Sequence, residues 1–152
     1  MSISKLAKLG VLLLVVLFMG GLDQWSKYLL GVWLSTQNWQ WGLIKLVWYK
    51  NPWIAFSIPL PMTVAVVLII GLLILLVVLL VNSRCTLGYD LGLMLVISGG
   101  LSNLWDKWQL GYVRDFVSIW WLPVFNLADM LIFIGVVMVI LNVAYGKRHQ
   151  KI

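Results

Sequence analysis

Two carboxylates stand out in a chain that is otherwise mostly hydrocarbon. Asp115 and Asp129 lie in the stretch GGLSNLWDKWQLGYVRDFVSIWWLPVFNLAD, Gly99 to Asp129. That stretch holds three of the chain's five acidic residues, with Asn103, Lys107, Arg114 and Asn126 between long apolar runs. An ionisable residue at membrane depth costs roughly 2.5–3.5 kcal/mol on insertion scales, so it marks function by default. Carboxylates about 3 Å apart cannot both ionise readily and share a proton. One then activates water while the other donates to the carbonyl or the leaving nitrogen. Such a pair titrates as a unit, which leaves neither residue a permanent role. Asp115 and Asp129 are thus candidates for the paired acids of an intramembrane aspartic peptidase.

Each acid also has an ordinary explanation. Asn126 is placed to cap a helix, with Asp129 in its first turn, where the macrodipole favours a negative charge. Asp115 beside Arg114 reads as a surface ion pair. Two outer-side Asp residues in a four-span protein satisfy the spacing alone, so the elements that position them decide the matter.

Met62 to Val81 is an uninterrupted uncharged run and the clearest transmembrane helix. Leu87 to Trp105 is a further span, with Gly88, Gly92, Ser98, Gly99 and Gly100 for close helix approach. Phe125 to Tyr145 is the last. The first begins after Lys5 and Lys8, with Leu9 to Leu22 apolar and a continuation through Leu30. A cleaved signal peptide is the alternative there, but no A-x-A-like site closes the run. Between spans, Ile44, Leu46 and Trp48 alternate with Lys45, Val47 and Tyr49, a strand pattern. Gly42 and Asn51-Pro52 supply turns on either side, so Trp39 to Phe56 is expected as a small, partly β platform on the membrane surface. The expected fold is an all-α membrane protein, four helices with a β platform on the outer face, as one domain over residues 1–152.

Composition agrees. Of 152 residues, 62% are hydrophobic and 11% charged, with no Glu. Mean hydropathy is +1.00. The net charge of +6 comes from scattered basic residues, which suit anionic lipid head groups rather than nucleic acid. One cysteine, Cys85, excludes an internal disulfide and a multi-cysteine metal site. One histidine, His149, leaves no material for His-based triads or His-pair zinc sites. Basic termini favour a cytoplasmic position for both ends. All ten tryptophans then fall on the outer side, where indoles meet head groups. Asp23 and Lys27, and Asn103 and Lys107, are spaced i,i+4 near helix ends, which a helix-stabilising pair also explains. Asp90 is expected near the inner end of its helix, close in sequence to Arg84, and so also has an ordinary explanation.

The chain resembles lipoprotein signal peptidase, the type II signal peptidase family of bacteria, over nearly its whole length. Asp23-Gln24-Trp25-Ser26-Lys27 is similar to the family's D-Q-x-x-K, and Asn51 to Phe56 to its N-x-G-x-A-F block. Asn103 to Lys107 resembles N-x-x-D-R, Val113 to Phe116 resembles V-x-D-F, and Phe125 to Asp129 matches F-N-x-A-D. The resemblance implies that Asp115 and Asp129 are the catalytic dyad. It implies that Asn51, Asn103, Asp106, Lys107 and Asn126 line or support the site, with Asp23 and Lys27 behind them. It implies cleavage of lipid-modified prolipoproteins just before the diacylglyceryl cysteine, in the bacterial cytoplasmic membrane, without metal or organic cofactor. Three departures stand out: Trp53 for Gly, Ser102 for the Gly before Asn103, and Lys107 for Arg. A proton or cation transporter is the rival reading, against which the acids gather on one side and no inverted repeat is seen. A non-catalytic membrane assembly protein is the third.

Overall fold

The computed structural model describes residues 3–52, 61–83 and 86–149. Trp53 to Phe56 of the expected platform, Arg84, Cys85 and the last residues of the basic tail lie outside them. Four helical spans carry a three-stranded antiparallel sheet at one end. The elements run α1 (Ile3–Val15), a π-helical turn (Val16–Gly20), α2 (Gly21–Leu34), β1 (Trp39–Trp41), β2 (Ile44–Asn51), α3 (Met62–Asn82), α4 (Leu87–Leu110), β3 (Val113–Ile119) and α5 (Leu127–His149).

The first span is longer than the apolar run that announces it. α1, the π-turn and α2 form one span from Lys5 to Leu34, straight through Asp23 and Lys27. α4 likewise passes through Asp106 and Lys107 to Leu110. These charges do not end a helix because their partners are inside the protein: Lys27 pairs with Asp23 and Asp106, Arg114 with Asp106, and Lys107 donates to the carbonyl of Pro52. α3 needs no such help: 21 uncharged residues rise about 32 Å, enough for the roughly 30 Å of hydrocarbon.

Leu12, Leu73, Leu80, Leu93, Met94 and Ile97 form the core where α1, α3 and α4 meet. α5 packs closely on α4, and glycine makes that possible. A Cβ on Gly99 would collide with the carbonyl of Ala128, and one on Gly92 would sit 2.8 Å from the carbonyl of Gly135. Backbone cannot yield as a side chain can, so these small residues set how near the head of α5 comes to Asn103. At the far end Lys8 pairs with Asp90 at 2.7 Å and donates to the carbonyl of Ser83. Among the described residues Lys8 is the partner of Asp90; Arg84, close to Asp90 in sequence, lies outside them.

The sheet order is β1-β2-β3. Gly42 turns the hairpin with φ 57°, and Trp41 pairs with Ile44 across it. β2 does alternate, but not to its end. The register shifts between Leu46, opposite Val117, and Tyr49, opposite Asp115. Val47 and Trp48 together face Phe116, which is a bulge. The extra residue reverses the alternation, so Tyr49 and Asn51 share the face of Asp115. Trp48 goes to the other face and packs on Gly31 of α2. After β3 the chain turns through Trp120, at φ 47°, and Phe125 bonds back to Val117 in both directions. That bridge brings the chain from Asp115 to the first residue of α5 within a few residues.

Candidate active site

Asn126 joins the two acids. It caps α5: its side-chain oxygen accepts from the amide of Asp129 at 2.9 Å, and its own amide donates to Asp129 Oδ2 at 3.2 Å. The exchange is a capping box with Asp in the third position. The remaining group, Nδ2, donates to Asp115 Oδ1 at 2.6 Å and to Asn103 Oδ1 at 3.1 Å. Asn126 is fully buried. One side chain therefore caps the helix that carries one carboxylate and holds the other carboxylate on the sheet.

Each acid has a second amide donor. Asn51 Nδ2 reaches Asp115 Oδ2 at 2.9 Å, which the bulge in β2 allows. Asn103 Nδ2 reaches Asp129 Oδ1 at 2.8 Å, which the close α4–α5 contact allows. Asp115 is 1% exposed. Burial pushes its carboxyl up to about 6, with the charge of Asp129 adding to the rise. Hydrogen bonds from Asn51 and Asn126 and the charge of Lys27 oppose it. Neutral amide donors orient the carboxylates without fully offsetting the burial, which leaves Asp115 able to exchange a proton near neutral pH.

Behind this pair lies a neutral quartet of charges. Lys27 is fully buried, with Asp23 Oδ2 at 2.6 Å, Asp106 Oδ2 at 3.2 Å and Asn103 Oδ1 at 3.0 Å. Arg114 clasps Asp106 through two nitrogens, at 2.6 and 3.2 Å. Its backbone amide adds a third bond, at 3.1 Å. Two acids and two bases cancel, and nearly all their valences are used, the condition for keeping charge out of water. The quartet also positions. Asp23 Oδ1 accepts from the amide of Ala128 in the first turn of α5 at 2.8 Å. Lys27, through Asn103, is two bonds from Asp129. Lys107 is buried and donates to the carbonyl of Pro52 at 3.2 Å, at the end of β2 that carries Asn51.

All nine residues singled out in the sequence thus meet at the sheet end of the bundle. Asp115 and Asp129 stand in front with Asn51, Asn103 and Asn126; Asp23, Lys27, Asp106 and Lys107 support them. One pairing is corrected: Asp115 is not a surface partner of Arg114, because Arg114 turns to Asp106 across the strand. Three residues had no role assigned. Gln24 donates to Asp106 Oδ1 and to Ser102, and accepts from Arg114 at 2.5 Å. Ser102 donates to Asp23 Oδ2 at 2.7 Å. Gln24 sits one residue from Asp23, and Arg114 one from Asp115, which was the available signal. For Ser102 the signal was its departure from the resembling motif, where it stands for the Gly before Asn103. Among the described residues no three His, Cys, Asp or Glu side chains converge as a metal site.

The same architecture recurs in known proteins. The family model for signal peptidase (SPase) II matches residues 13–145. A lipoprotein signal peptidase of Enterococcus faecalis is 29% identical over 150 residues, 94% of this chain and 93% of that one. One of Aeromonas hydrophila is 46% identical over 61 residues, 38% of this chain and 35% of that one. A bacterial membrane enzyme solved in meso at 2.3 Å superposes with a TM-score of 0.83 at 25% identity, covering 93% of this chain and 92% of its own. A second, solved at 1.9 Å, gives 0.75 at 26% identity, over 87% and 91%. With a family match across almost its full length and the same fold in two membrane enzymes, the chain belongs to the signal peptidase II family.

Proposed function

We propose that this chain is an intramembrane aspartic endopeptidase that removes signal peptides from diacylglyceryl-modified prolipoproteins, cutting on the N-terminal side of the lipidated cysteine. Its relatives named lipoprotein signal peptidase support the substrate class. The observation that carries the mechanism is the single side chain of Asn126, bonded at once to the Asp115 carboxylate and to the backbone of Asp129. It fixes two acids on different elements around one point.

The pair works with one proton between them. The ionised member takes a proton from water as that water attacks the scissile carbonyl, and the protonated member hydrogen-bonds the carbonyl oxygen. The tetrahedral intermediate collapses as a proton passes to the leaving nitrogen. The fixed amides of Asn51, Asn103 and Asn126 keep both carboxylates in place, so little reorganisation accompanies the step. Lys107 supplies positive charge beside Asp115 and holds the end of β2. Both termini lie in the cytoplasm, the sheet and dyad at the outer face of the cytoplasmic membrane, and membrane lipids surround the bundle.

The test is cleavage of a lipidated prolipoprotein peptide by purified protein, with product masses read by mass spectrometry. The expected products divide just before the lipidated cysteine, and an unlipidated peptide reacts far more slowly. Asp115→Asn and Asp129→Asn each abolish cleavage while the protein still folds in detergent. Full activity in either variant, or a cut elsewhere in the signal helix, refutes the assignment.

A further inference from the structure

We infer that the corner between α2 and the back of the sheet binds the phosphodiester of an anionic membrane phospholipid, at a site separate from the dyad. The corner is an open cleft of about 370 Å³. Tyr28, Val32 and Ser35 of α2 line one side, and Trp48 of β2 and Arg114 of β3 the other. Trp48 packs on Gly31 and so joins the two sides. Arg114 and Asp115 are consecutive in β3 and point to opposite faces, so the cleft opens away from the dyad.

Charge selects an anion. Lys50 is the register partner of Arg114, so the two side chains start about 5 Å apart on one face of the sheet. Like charges directly opposite are destabilising, and an anion between them reverses the sign. Asp115 is the one acid in the three strands, and it is on the other face. Arg114 is balanced by Asp106 through Nε and Nη2, which leaves Nη1 without a hydrogen bond among the described residues. The buried quartet is neutral, so the uncompensated charge at the cleft is that of Lys50. Lys50 makes no ion pair among the described residues, and its ammonium lies over the Tyr112 ring, 5.2 Å from the centroid. A phosphodiester accepts from Arg114 Nη1 and offsets Lys50 with a single negative charge.

Depth selects a lipid. The span from Lys5 to Leu34 has 30 residues and rises about 45 Å, against roughly 30 Å of hydrocarbon. Its last turns, which form the cleft, stand at the level of the head groups. From the cleft toward the bilayer centre, Val32, Tyr28 and Trp25 make an exposed stripe down α2. A phosphate held in the cleft lays its acyl chains along this stripe. A free phosphate gains nothing from the stripe, and a zwitterionic head group brings a further cation to a face that already carries two.

Native mass spectrometry of the purified protein in neutral detergent, titrated with phosphatidylglycerol or phosphatidylcholine, tests the inference. One phosphatidylglycerol should bind about fivefold more tightly than phosphatidylcholine, or better. Lys50→Gln should weaken phosphatidylglycerol about fivefold, the effect of one basic residue beside an anionic lipid, and leave phosphatidylcholine within about twofold. Val32→Trp fills the cleft from an exposed helix position and should weaken both lipids. Lys5→Gln, at the opposite end of the bundle, should change neither. Lys50 and Val32 are both exposed, and unchanged melting without lipid shows that the variants fold. Equal affinity for the two lipids, or unchanged binding in Lys50→Gln or in Val32→Trp, overturns the inference. An equal loss in Lys5→Gln shows attraction by charge without a site and overturns it as well. Displacement of the lipid by an excess of inorganic phosphate assigns the cleft to a free ion and overturns the lipid source. None of these measurements needs turnover, so they stand apart from the peptidase reading.

Discussion

Removing the amide of Asn51 should move the pH at which the active pair gives up its proton. Asn51→Ala deletes the 2.9 Å bond to Asp115 Oδ2, the strongest of the influences that hold the carboxyl of Asp115 down against burial. A hydrogen bond to a charged group is worth about 1.5–3 kcal/mol, and Asn51 is only half-buried, so the lower figure applies. At 1.36 kcal/mol per pH unit, that is about one unit. The sign is fixed: the lost bond favoured the ionised form, so the proton is held to higher pH. Because the pair needs one proton, the alkaline limb of kcat/KM moves up by about one unit, even as the maximum rate falls through looser positioning. With a group titrating near 6, activity at pH 8 is about one-fiftieth of that at pH 6; in the variant it is about one-tenth. Cleavage of a lipidated peptide across pH 5–9 in one detergent measures this. An unmoved limb, or one moved to lower pH, refutes the account of what poises Asp115.

Three further outcomes follow from the same geometry. Lys27→Met leaves Asp23 facing Asp106 inside the bundle, and should cost about 3–5 kcal/mol, read as a large fall in melting temperature in detergent. A cost under about 1 kcal/mol would show that the quartet is not a unit. Lys107→Arg should keep activity, since the N-x-x-D-R motif that Asn103 to Lys107 resembles ends in Arg, while Lys107→Ala should lose at least tenfold in kcat/KM by peptide cleavage, about 1.4 kcal/mol; equal activity of all three forms places the residue outside the site. Gly99→Ala pushes a methyl group at the Ala128 carbonyl, and should destabilise by about 1–3 kcal/mol and slow cleavage by loosening the Asn103–Asp129 bond. Unchanged melting and rate would show that α5 can shift freely.

The sequence by itself determined the four spans, because runs of about twenty apolar residues have no other stable state in a bilayer. It also placed Asn126 and Asp129 three apart at a helix start, a local relation that survives any packing, and its motifs pointed to the residues that meet. It did not determine where the first and third spans end. Asp23, Lys27, Asp106 and Lys107 look like helix ends until tertiary partners satisfy them: Asp23 bonds Ser102 and the amide of Ala128, Lys27 bonds Asp106 and Asn103, and Lys107 the carbonyl of Pro52. Nor did it reveal β3. Val113 to Ile119 has the residues for a strand, but a strand exists only with a neighbour, and β2 lies more than sixty residues away. The bulge opposite Phe116 was hidden for the same reason, since alternation in β2 shows no break in sequence and only pairing with β3 creates one. Arg114 is the clearest case. Its chain neighbour is Asp115, yet successive strand residues point to opposite faces, so the tertiary structure sends the guanidinium to Asp106 while Asp115 accepts from the amides of Asn51 and Asn126.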